Sequence, residues 1–171
     1  MHFQKNIKLK MNKFKYLLLV CLAFLSCKGQ EPTSFSEAAL TDSFINLQGE
    51  EVTFKNVLEA YKGQTIVIDI WASWCKDCIG GMPKVKVLQQ AHQEVVYIFL
   101  SLDKNQEAWK RGIEKYDVNG HHYFIKSGWK GDFGSFVDLD WIPRYMVIDK
   151  EGNIKVFKAV EADDKKIKDV L

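Results

Sequence analysis

The chain reads as an α/β sandwich with a mixed central sheet and a β extension at its N-terminal side. Three observations carry that reading. Residues 65–71 and 94–102 are almost continuously apolar, the pattern of strands covered on both faces. A segment in helical rhythm follows each run: Ile79, Met82, Val85 and Leu88 after the first, Trp109, Ile113 and Tyr116 after the second. Residues 144–148 and 153–157 then form two strands around the turn 149–152, so an antiparallel hairpin closes an alternating series.

The remaining elements follow in order. Residues 44–54 make two short strands around a Gly49 turn. A short helix over 56–61 ends at Gly63. The helix that opens at Cys75 runs to about His92; Gly80 and Gly81 each weaken it by about 1 kcal/mol, and Pro83 should kink it. Residues 105–116 are amphipathic. A short strand at 123–125, a helical turn at 133–139 and a terminal helix from Asp163 complete the domain.

Composition is that of a globular chain, 47% hydrophobic and 27% charged, long enough for one domain with extras. The net charge of +2 conceals an asymmetry. Residues 1–27 hold five lysines and no acid, whereas 28–171 carry 19 basic against 22 acidic residues. That balance offers no electrostatic footing for nucleic acid. The apolar run 16–25 is too short to span a bilayer of about 30 Å, and its length and flanks match a secretory signal. Residues 25–27, Leu-Ser-Cys, resemble a bacterial lipoprotein cleavage site in which Cys27 takes the lipid and starts the mature chain, although Phe24 departs from the usual Leu-like residue. Met11 is an alternative start. The expected organisation is a signal over 1–26, a flexible polar tether over 27–40 and a folded domain over 41–171.

Once Cys21 leaves with the signal and Cys27 is lipidated, Cys75 and Cys78 are the free thiols of the domain. Three residues apart on a helix, they share a face, within the Cα separation of about 4.4–6.8 Å that a disulfide needs. A bridge this local closes too small a loop to staple a fold, so the pair reads as a working disulfide. At a helix start, free N–H groups and the positive end of the dipole favour the thiolate, the species that attacks disulfides. Half a zinc site is the plainer alternative, but it needs two further ligands, and His2, His92, His121 and His122 form no second paired motif. Haem attachment needs His after the second cysteine, where Ile79 stands. Asp69 would be a surface acid if 65–71 were an edge strand. Five apolar residues of seven argue for burial, which raises a carboxyl's pKa toward that of a proton acceptor near neutral pH.

The segment 69–78, Asp-Ile-Trp-Ala-Ser-Trp-Cys-Lys-Asp-Cys, together with Pro83 and the run 141–145, Trp-Ile-Pro-Arg-Tyr, resembles the thioredoxin superfamily. The resemblance covers 41–171 and is closest to exported, membrane-tethered thiol-disulfide oxidoreductases of the TlpA/ResA type. It implies a three-layer sandwich, with Cys75 as nucleophile in the exposed position at the helix start and Cys78, one turn in, as resolving thiol. Asp69 would be the buried acid that moves the Cys78 proton. Pro143 would be a cis-proline packed on the pair, the Ile142 backbone would pair with substrate, and Trp74 would form an apolar lip. It further implies protein thiols and disulfides as substrates, apocytochromes being a typical case, with a membrane electron donor, a lipid anchor in the cell envelope and no cofactor beyond the Cys75–Cys78 disulfide. The chain departs from the family at Asp77, where proline is usual. Asp77 opposes a nearby thiolate and Lys76 favours it. A thiol-based metal chaperone is the alternative from another class. A peroxidase is disfavoured, because the Pro-x-x-x-Thr-x-x-Cys setting is absent.

Overall fold

Every residue of β3 (Ile66–Trp71) and β4 (Val96–Ser101) is buried, so the two apolar runs form the middle of the sheet. The computed structural model describes residues 30–171; the expected signal segment and Cys27 lie outside that range. Before β3 come α1 (Glu37–Thr41), β1 (Ser43–Asn46), β2 (Glu51–Thr53) and α2 (Phe54–Glu59). The long helix α3 (Lys76–Ala91) links β3 to β4, and α4 (Gln106–Tyr116) links β4 to β5 (His121–Ile125). α5 (Asp132–Phe136), β6 (Arg144–Ile148), β7 (Ile154–Ala159) and α6 (Lys165–Lys168) complete the domain. No helix among the described residues is long and apolar enough to cross a membrane.

The sheet runs β2-β1-β5-β4-β3-β6-β7, with β3, β4 and β5 parallel and the other pairs antiparallel. The expected mixed sheet and N-terminal β extension are both present. Two successive right-handed crossovers step the same way across the sheet, which puts α3 and α4 on one face. Contacts agree: the Tyr97 hydroxyl donates to the Leu88 carbonyl of α3 at 3.1 Å, and Gly112 of α4 lies against the Trp71 ring. Arg144 alternates with Tyr145 along β6 and reaches the carbonyls of Val137 and Asp138 just after α5, so α5 lies on the opposite face.

Local boundaries shift where side chains cap the backbone. α2 starts two residues before the periodicity indicates, because Thr53 and Asn56 form a reciprocal capping box. α3 runs unbroken through Pro83, which sits exposed on its outer side. The larger correction is the tether. Residues 33–40 belong to the domain: the Thr33 carbonyl accepts from Ile154 N at 2.8 Å, extending the edge at β7, and Ser36 caps α1. Phe35 packs edge-on to Phe54 with centroids 4.9 Å apart and lies 5.4 Å from Phe136. Phe44 and Phe133 join the same cluster. The polar residues around Phe35 mask that anchor in the sequence. Replacing Phe35, which is half-buried, with Ala should lower unfolding free energy by about 1–3 kcal/mol, read as a drop in urea midpoint at unchanged slope.

Candidate active site

β3 hands the chain to α3 through a turn that is pinned from below. The Trp71 carbonyl accepts from Leu102 N at 2.8 Å, and the Cys75 N–H donates to the Ala72 carbonyl at 3.0 Å. Between them, Asp103 takes the Ser73 N–H at 3.1 and 3.2 Å and the Ser73 hydroxyl at 2.6 Å, while Ser101 donates to its other oxygen at 2.9 Å. On the far side Ser73 rests on Gly112. A side chain there would place Cβ 2.4 Å from Ser73 Cβ, so α4 needs glycine at this contact. Ser73, Asp103 and Gly112 escaped the sequence reading, because their link joins three segments far apart in the chain.

Cys75 caps α3, and Cys78 lies in its first turn. The two are disulfide-bonded with Cα atoms 5.3 Å apart, and the Cys78 N–H points at Cys75 Sγ, 3.1 Å away. Cys75 is 6% exposed and Cys78 fully buried. The order is as expected, but Cys75 is recessed rather than exposed. Lys76 and Asp77 stand in solvent on the first turn.

The opposite wall comes from the segment before β6. The Ile142–Pro143 bond is cis, and the Ile142 carbonyl oxygen lies 3.6 Å from Cys75 Sγ. Arg144 holds this wall. Its guanidinium is completely buried and donates to the Val137 carbonyl at 2.5 Å, the Asp138 carbonyl at 3.2 Å and Asp140 Oδ1 at 2.6 Å. Asp138 has φ +48°, a left-handed conformation that non-glycine residues rarely adopt, and its carbonyl is one of those the guanidinium holds. A lone arginine directly after the proline of an apolar strand is the signal that would have marked it.

A groove of about 500 Å³ opens beside Cys75, walled by Trp74, Trp129, Trp141 and Ile142. Trp74 is half-exposed at the mouth of this groove. The sequence alone leaves Trp71, Trp109 and Trp141 as core or groove filler; Trp71 and Trp109 are core, whereas Trp141 is 59% exposed and lines the groove. Trp129 was not anticipated, since the loop that carries it has no periodicity. His121 and His122 lie away from the cysteines as ordinary structural residues: His121 packs on Tyr61, and His122 Nε2 lies 2.9 Å from the Val118 carbonyl.

Asp69 is 2% exposed in the central strand, opposite Tyr145. Neither carboxyl oxygen has a hydrogen-bond partner of normal geometry among the described residues. Burial pushes its pKa up to about 8, against the opposing pull of the nearby Tyr145 hydroxyl. Because burial penalises the charged form, the carboxyl is neutral at low pH and ionises close to physiological pH.

Two sulfurs bonded across the first turn of a helix, set on this sheet, place the domain among thiol-disulfide oxidoreductases of thioredoxin-like fold. The chain belongs to the Redoxin family, whose model matches residues 32–171. It is similar to the thioredoxin-like protein YneN of Bacillus subtilis, 25% identical over 132 residues, covering 75% of this chain and 69% of that protein. It is also similar to the thiol-disulfide oxidoreductase ResA of Bacillus thuringiensis, 26% identical over 123 residues, covering 71% of this chain and 66% of the relative. A solved thiol:disulfide interchange protein from a Bacteroides species superposes with a TM-score of 0.63 at 25% identity, over 79% of this chain and 85% of that one.

Asp69 also sets a pH dependence of stability. Between its ordinary value of 3.8 and about 8, the folded domain holds a proton that the unfolded chain has released. Stability is therefore lost as pH rises through that window, by up to about 1.4 kcal/mol per unit. Asp69→Asn should flatten the profile and raise the melting temperature at pH 7. Asp103→Ala should cost about 1–3 kcal/mol by orphaning the Ser73 N–H and hydroxyl, measured by urea unfolding.

Proposed function

We propose that this protein works in the cell envelope as a reductant of protein disulfides, with Cys75 as the attacking sulfur. The observation that carries the reading is the setting of Cys75 Sγ: at the N-terminus of α3, facing the Cys78 N–H and 3.6 Å from the Ile142 carbonyl. N–H groups and a helix N-terminus stabilise a thiolate. The Cys75 thiolate attacks one sulfur of a substrate disulfide, forming a mixed disulfide and releasing the other sulfur as thiolate. Asp69 then takes the proton of Cys78, whose thiolate attacks Cys75 Sγ. The Cys75–Cys78 bond forms, the substrate's second thiolate leaves, and two electrons have passed from dithiol to substrate. The substrate strand lies along Ile142 and Pro143 as an added strand, against Trp74. Lys76 and Asp77, of opposite charge beside the sulfur, tune its potential.

The signal-like segment 1–27 supports export and, through Cys27, a lipid anchor. A membrane electron donor would then restore the dithiol, and apocytochrome thiols are one substrate class that fits. Cys78→Ser should accumulate mixed disulfides through Cys75 that dithiothreitol dissolves, while Cys75→Ser accumulates none. Ultraviolet titration of the reduced domain should place the Cys75 thiol below the ordinary value of about 8.5. Absence of adducts, or stoichiometric copper or zinc on the reduced domain that is lost in Cys75→Ala, would overturn the reading in favour of a soft-metal carrier.

A further inference from the structure

Asp69 has a second buried and unpaired polar neighbour, and the catalytic cycle outlined above assigns that neighbour nothing. β3 and β6 run antiparallel with Asp69 directly opposite Tyr145, so both side chains stand on the sheet face that carries α3. The Tyr145 hydroxyl has no hydrogen-bond partner of normal geometry among the described residues. A buried hydroxyl left this way costs free energy, and here it adjoins a buried carboxyl in the same condition. The hydroxyl reaches α3 at Gly81, one turn beyond Cys78, where an added Cβ would lie 3.4 Å from it.

Gly81 and Tyr145 also line a cavity of about 410 Å³ that adjoins the tryptophan groove, sharing Lys76, Asp77 and Trp141 with it. That volume has room for several waters at about 30 Å³ each. Charged groups surround it from each packed element: Lys76, Asp77 and Lys84 on α3, and Glu161 on the segment after β7. Lys84 is ion-paired with Glu161 and with Asp163, the latter at 3.0 Å, so the rim holds mobile polar groups of both signs.

From this juxtaposition we infer that the Tyr145 hydroxyl is the relay through which Asp69 exchanges its proton with the water of this cavity. The inference rests on the reading of Asp69 as proton acceptor. Near neutral pH the carboxyl is mostly protonated. Before it takes the Cys78 proton, it must lose its own. A hydroxyl does both halves of that transfer: it donates to a carboxylate while accepting from water. The proton leaves Asp69 for the Tyr145 oxygen as the Tyr145 proton passes to cavity water, and no electron moves. Glycine at 81 keeps the approach to the hydroxyl open.

The test is stopped-flow oxidation of the reduced full chain by a peptide disulfide, followed by tryptophan fluorescence from pH 6 to 9. The slower phase reports closure of Cys75–Cys78. Tyr145→Phe should slow that phase about tenfold or more at pH 7, leave the first attack unchanged, and recover rate as imidazole is added. Wild-type protein should be insensitive to imidazole. Gly81→Ala keeps the hydroxyl but covers it with a methyl at ordinary contact distance, so it should slow the same phase, and it serves where Tyr145→Phe does not fold. A wild-type closure rate in both variants, or slowing of Tyr145→Phe that imidazole does not relieve, overturns the relay. Asp69→Asn separates the two claims. If it slows closure while the Tyr145 and Gly81 variants do not, the relay alone fails. If closure in Asp69→Asn keeps its rate and pH profile, the reading of Asp69 fails with it.

Discussion

Because Ile70 pairs with Arg144 and Asp69 with Tyr145, the C-terminal end of β3 and the N-terminal end of β6 emerge at the same edge of the sheet. From there the chain leaves Trp71 toward Cys75, and the residues that enter β6 are Ile142 and Pro143. That register is what brings a carbonyl to 3.6 Å from the first sulfur. A slip of one residue would turn Asp69 and Tyr145 to the other face, away from α3 and the cysteines. The buried carboxyl, the hydroxyl beside it and the prolyl wall are therefore consequences of one strand pairing.

Two polar clamps keep the ends of that pairing from fraying. Asp103 ties the turn after β3 to the end of β4, and Arg144 ties the wall before β6 to the loop after α5. The buried arginine is held by two carbonyls and a carboxylate, which offsets much of the cost of taking its charge from water. Asp69 and Tyr145, a few ångströms away on the other face, have no such compensation. Uncompensated polar groups persist where the surrounding structure over-determines them, and they gather at working sites. Here they gather beneath the helix that carries the sulfur pair, with the Tyr145 hydroxyl facing Gly81.

Much of this was legible beforehand. The apolar runs announced β3 and β4, the interrupted helix announced α3, and the motif around Cys75 with the prolyl run at 141–145 pointed to the site. Other parts were hidden for definite reasons. Phe35 looked like part of a tether, since its neighbours are polar and its partners, Phe54 and Phe136, come from elements far along the chain. Trp129 gave no signal at all, and Trp141 could not be told from Trp71 and Trp109, because an aromatic's exposure depends on what the fold leaves uncovered. Cys75 looked exposed because a helix start is usually at the surface, whereas the Ile142 segment covers it here.

What the amino-acid order determined by itself is local: which stretches are strands or helices, that two thiols share one turn of a helix start, and that an acid lies within a buried strand. Those follow from periodicity and from spacing over a few residues. What only tertiary structure decided is pairing across the chain: Asp69 opposite Tyr145, Ser73 on Asp103 and Gly112, Arg144 on the loop after α5, and the tryptophans around the groove. Arg144 meets partners four to seven residues before it; the other pairings bring together segments tens of positions apart, and their proximity arises only when the sheet's register is set by burial of the whole apolar core.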